Sequence, residues 1–105
     1  APQLHWQREH AAHSYHLCVF RTVARDEVRA RLADGGVSTA VHYPVALTDQ
    51  PAYRAIFAGS GCPNAEAWAA ECVSVPCFPE MTDAQQDAAV SAIKEFFVSA
   101  SATAA

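Results

Sequence analysis

His42 and Tyr43 follow the run Ser38-Thr39-Ala40-Val41 and stand just before Pro44, at the mouth of a loop that closes on Gln50, Pro51 and Tyr53. An imidazole and a phenol each offer a donor and an acceptor, so at the lip of a strand they can meet a ligand. A packing account is also open. If residues 37–43 form a strand, Val37, Val41 and Tyr43 share one face, and His42 points the other way with Ser38 and Ala40. Tyr43 is then easily absorbed into a core, His42 less so.

Other reactive side chains offer less. His10, His13 and His16 are spaced three apart, which on a helix would make a metal site conceivable. The segment from 14 to 23 reads as a strand, however, where positions 13 and 16 face opposite ways, and no carboxylate or thiol joins them. No metal site is expected. Cysteines 18, 62, 72 and 77 contain no C-x-x-C pair and fit no zinc spacing. Cys18 and Cys72 lie in apolar runs, where a reduced thiol behaves as a small hydrophobe, and reduced thiols point to the cytoplasm. Gly59-Ser60-Gly61 reads as a turn rather than a phosphate cradle. The sequence holds no dinucleotide-binding, P-loop or nucleophile-elbow motif. Its single lysine, Lys94, falls on the solvated side of a helix.

The whole chain bounds these readings. It has 105 residues, 51% of them hydrophobic, enough for one domain with its own core. A net charge of −4, from 11 acidic and 7 basic side chains, argues against nucleic acid or an anionic membrane as partner. No apolar run approaches the ~20 residues of a membrane span. No secretory leader is visible, and a first residue other than Met points to a processed or excised segment, with removal of an initiator Met before Ala1 as the alternative.

The elements that must position these groups read as follows. Residues 1–12 form a linker or arm. A buried strand occupies 14–23. A helix covers 25–36, with Asp26 as N-cap, Val28 and Leu32 on one face, Glu27 and Arg31 one turn apart, and Gly35-Gly36 as its stop. A second strand runs over 37–43. One or two helical turns are possible in 51–59. A short helix begins at Pro63, and a third strand spans 72–78, with Pro76 marking an edge or an end. The last helix starts at Thr82, whose capping box with Gln85 precedes Ala89, Ile93, Phe96 and Phe97 at helical spacing. Residues 99–105 read as a flexible tail. The fold class is α/β, an α+β two-layer sandwich: a small three-stranded sheet with helices mainly on one face.

In this order the segments HSYHLCVFRT, RDEVRARLADGGVSTAVHYPVALTDQPAY and CPNAEAWAAECVSVPCFPEMTDAQQDAAVSAIKEFF form a recognisable set. They include an Arg25-Asp26 helix start and a Gly36-to-Pro44 strand ending in His-Tyr-Pro. Gln50 and Tyr53 follow, then a Pro63-to-Glu66 helix start, a Ser74-Val75-Pro76 strand and a Pro79-to-Thr82 helix start. From about His13 to Phe97 the chain resembles the C-terminal domain of the DegT/DnrJ/EryC1/StrS family of PLP-dependent sugar aminotransferases. The resemblance implies a small domain, residues 13–98, at one end of a longer enzyme. A large N-terminal PLP-binding domain would supply the Schiff-base lysine, the phosphate site and the acidic partner of the pyridine nitrogen. A homodimer with sites near the subunit interface is implied, as is transfer of an amino group, usually from glutamate, to a keto sugar that is nucleotide-linked.

On that resemblance no residue of this chain is catalytic or holds the cofactor, and the chain alone is expected to be inactive. His42 becomes the first substrate-binding candidate, for a sugar hydroxyl or nucleotide phosphate, and Tyr43 the second. A hydrogen bond tying the loop to the large domain is the plainer alternative for His42. Arg21 is a third candidate, since small-domain arginines in this wider fold grip substrate carboxylates; a surface or interdomain ion pair is the alternative. The loop departs from the family pattern P-x-P-x-H-x-Q, with Ala46 in place of the second proline and Thr48 in place of the histidine, which puts the usual substrate in doubt. Two further readings stay open: a dehydratase or a cyclitol- or aromatic-amine-forming relative, and a stand-alone binding module. Trp6 and the Phe96-Phe97 pair lean against the module, as apolar groups in want of a cover.

Overall fold

The computed structural model describes residues 2–104, with the backbone alone described for 102–104. In chain order the elements are β1 (His5–Trp6), β2 (Cys18–Arg21), α1 (Arg25–Asp34), a 3-10 turn (Leu47–Asp49), α2 (Pro63–Glu71), β3 (Cys72–Val75) and α3 (Asp83–Ala104). The three strands form an antiparallel sheet in the order β1-β2-β3. The two-layer sandwich with a small sheet is therefore as expected, but its strands are not all the expected ones.

Alternation along β2 and β3 builds two faces. Phe20 lies opposite Val73 in the register, and both are fully buried. Val28 and Leu32 of α1, and Ala89, Ile93 and Phe96 of α3, close over that pair with Val37 to make the core. The i, i+4, i+7 spacing of the α3 residues is the apolar stripe read from the sequence. Val19, Arg21, Cys72 and Ser74 alternate to the sheet's other face, and that face carries the candidate site.

Local chemistry sets the helix ends. Thr82 Oγ1 accepts from the Gln85 amide at 3.2 Å while Gln85 Oε1 accepts from the Thr82 amide at 2.9 Å, the expected capping box. α1 stops in a Schellman motif. Gly36 takes φ +83°, its N–H donates to the Ala33 carbonyl, and the Val37 N–H donates to the Leu32 carbonyl at 2.8 Å. Leu32 and Val37 meet in the core beneath that turn. The start of α1 differs from expectation: Ala24, not Asp26, is the N-cap. Asp26 lies inside the first turn, 2.6 Å from Arg25 Nε, and the Thr22 hydroxyl accepts from the Ala24 amide instead.

Four larger departures matter. The strand expected over 14–23 shortens to four residues. Upstream of it His10 Nδ1 accepts from the Ala12 amide and His13 Nδ1 from the Tyr15 amide, bonds that fold the segment into turns. The strand expected over 37–43 is a single antiparallel bridge, Ala40 to Ser74. On the edge turned away from β3, Arg29 Nε reaches Thr39 Oγ1 at 3.1 Å and its Nη2 the Thr39 carbonyl at 3.3 Å. Toward β3, the His42 carbonyl is bound by the Trp68 indole and Pro76 has no N–H to offer, so the bridge does not extend into a ladder. The third strand instead comes from the segment read as an arm, where Trp6 pairs with Phe20 and their rings meet edge-on at 5.3 Å. Finally, α3 continues through Ala104, over residues read as a tail. Phe96 is buried in the core, so it needs no cover from another domain, whereas Trp6 is half exposed.

Candidate functional site

α2 runs into β3 without a loop, which puts Trp68 and Glu71 beside the sheet's second face. Five residues from separate stretches of the sequence are linked there. Trp68 Nε1 donates to the His42 carbonyl at 3.1 Å. The Arg21 guanidinium lies 6.0 Å from the centre of the Trp68 ring. His42 Nδ1 is 2.8 Å from Ser74 Oγ. Arg21 Nη2 and Nε reach Glu71 Oε2 at 2.8 and 3.2 Å.

The structure thus brings His42 and Arg21 together, with Trp68 between them. Their situations differ. Arg21 is occupied by Glu71 and lines an open groove with Gln3, His5 and Val23. His42 borders a separate hollow of about 230 Å³ at the end of the sheet, shared with His16, Thr39 and Cys77. Tyr43 is 70% exposed and touches the His42 ring edge-on at 5.3 Å; it makes no hydrogen bond among the described residues. Exposed Leu47 and Ile56 continue the lip beyond it.

Ser74 and Trp68 were not singled out by sequence reasoning. A lone serine within an apolar strand, and a tryptophan on a short helix leading into that strand, were the available signals. Ser74 is fixed twice over, since its own N–H and C=O both pair with Ala40, at 2.8 and 3.0 Å. Among the thiols, Cys77 donates to the Tyr15 carbonyl at 3.3 Å. Burial first, and the neighbouring Cys77 second, push the Cys18 thiol above its ordinary range. Among the described residues no group of three or more side chains could hold a metal ion, and no helix is long and apolar enough to cross a membrane.

The family model described as "DegT/DnrJ/EryC1/StrS aminotransferase family" matches residues 1–94. The chain belongs to this family. It is 38% identical over 86 residues to a "Pleiotropic regulatory protein" of Geobacillus stearothermophilus, covering 81% of this chain and 23% of that one. It is 35% identical over 83 residues to dTDP-3-amino-3,4,6-trideoxy-alpha-D-glucose transaminase of Streptomyces venezuelae, covering 78% of this chain and 22% of that one. Among solved structures it superposes on S. venezuelae DesV, determined with a ketimine intermediate. The TM-score is 0.83 at 30% identity, over 89% of this chain and 26% of that one. A DegT DnrJ EryC1 StrS aminotransferase from Brucella abortus shares the fold, with TM-score 0.78 at 22% identity, over 89% of this chain and 26% of that one. The chain spans about a quarter of the length of these relatives. Within the family frame, the His-Tyr-Pro triplet supplies His42 and the Ser-Val-Pro triplet supplies Ser74, the two ends of the 2.8 Å contact.

Proposed function

We propose that this chain is the small C-terminal domain of a PLP-dependent aminotransferase that passes an amino group, from glutamate, to a nucleotide-linked keto sugar. The observation that carries the reading is the superposition on DesV over 89% of this chain but 26% of the other. The chain's own residues do not fit PLP. Its one lysine, Lys94, is exposed on α3, on the far side of the sheet from His42 and Ser74. A Schiff-base lysine needs an amine held against the cofactor and partly deprotonated by its surroundings. In this proposal a large N-terminal domain of the same polypeptide supplies the lysine and the phosphate site. The assembly is a cytoplasmic homodimer, and residues 13–98 form a wall of its cleft.

In that wall His42 is the substrate contact, with Tyr43 beside it on the exposed lip. Arg21 serves the substrate only if the substrate displaces Glu71. The test is the intact mass of the protein captured from its source cell with an antibody to this chain. A species several times heavier than 11.2 kDa is expected, with transaminase activity that the 105-residue chain lacks. A native species near 11.2 kDa would overturn the reading.

A further inference from the structure

We infer that Ser74 is a positioning residue that holds His42 as a hydrogen-bond donor: the serine hydroxyl donates to Nδ1, and the ring proton resides on Nε2. The inference rests on the proposed role of His42 as a substrate contact and says which kind of contact it makes. Ser74 is 5% exposed, and its Oγ has one partner among the described residues, His42 Nδ1 at 2.8 Å. The two groups can share that contact in two ways. If Nδ1 carries the proton and donates to Oγ, the hydroxyl hydrogen of a buried serine is left without an acceptor. If Oγ donates to Nδ1, both groups are satisfied, and a buried donor left unpaired is the costlier arrangement.

The remainder of His42 is fixed as well. Trp68 holds its carbonyl at 3.1 Å, and the Ala40–Ser74 bridge fixes the chain two residues before it. Nε2 has no partner among the described residues. The free edge of the ring is therefore an N–H aimed at an oxygen lone pair of the ligand, not a base that would take a proton from it.

The ring's tautomer is read by ¹⁵N NMR of the full 105-residue chain, at a pH above the ordinary histidine range. The expected result is Nε2–H over Nδ1–H by roughly tenfold or more, the scale of one buried hydrogen bond. Ser74→Ala is expected to collapse the ratio toward that of a free imidazole side chain, and Ser74→Thr to restore it. A proton on Nδ1 in the unsubstituted chain overturns the inference, whether or not the variants fold. So does an unchanged ratio in a folded Ser74→Ala chain. Neither readout depends on transamination, so the inference and the enzyme assignment can fail separately.

Discussion

Arg21 Nη2 lies 2.8 Å from Glu71 Oε2, and both guanidinium contacts fall on that one oxygen. The geometry is not the two-oxygen fork that makes arginine–carboxylate pairs strong. The Arg21 side chain is about a third exposed, so water and salt screen the pair. Glu71→Gln is expected to lower stability by about 0.5 kcal/mol, a loss that shrinks at about 1 M salt. Urea midpoints at low and high salt measure it. No loss at low salt would show that packing on Trp68, rather than charge, holds the guanidinium.

The paired glycines after α1 are not equivalent. Gly36 occupies φ +83°, while Gly35 has an ordinary φ of −84°. A Cβ at Gly36 meets nothing within 4 Å, so its cost is conformational alone. Gly36→Ala is expected to destabilise the domain by about 1–2 kcal/mol. Gly35→Ala, whose Cβ would rest 3.5 Å from the Leu32 carbonyl, is expected to change stability little. Thermal unfolding of the two variants side by side makes the comparison, and equal losses would contradict it.

Cys18 should react late. Burial and Cys77 raise its pKa, so at pH 8 it holds less thiolate than an ordinary thiol, and it is less accessible than exposed Cys62. Iodoacetamide followed by peptide mass mapping is expected to label Cys62 before Cys18. The folded pKa exceeds the unfolded one, so the folded state binds more protons and stability falls with rising pH. The contribution is fully present below the ordinary thiol pKa of 9.0 and is lost as pH climbs through the raised value. Cys18→Ser is expected to flatten that alkaline decline, as urea midpoints at several pH values above the ordinary thiol range would show.

The parts of the fold legible in the sequence are those whose causes are local. The capping box, the stripe from Ala89 to Phe96 and the glycine stop after Asp34 each lie within a few residues of what they determine. The strand at 37–43 misleads because its composition favours extension while Trp68 and Pro76, both outside it, take the His42 carbonyl and withhold an N–H at the positions a ladder would use. β1 has two residues, too few for any periodicity to register. The candidate site divides the same way. His42, Tyr43 and Arg21 stand out by type and place. Their partners Ser74 and Glu71, 32 and 50 positions away, become visible only once β3 lies beside β2.

That pairing has a kinetic consequence. β2 joins residues 18–21 to residues 72–75, so the sheet cannot close until a loop of roughly fifty residues has been brought end to end. The stretch from His42 to Gly61 lies inside the loop and places only Ala46 among the buried residues. It has little to hold it until Ser74 and Trp68 arrive. The lip of the candidate site is therefore expected to order only when β3 docks, so His42 is held no more firmly than the pairing of β3 with β2.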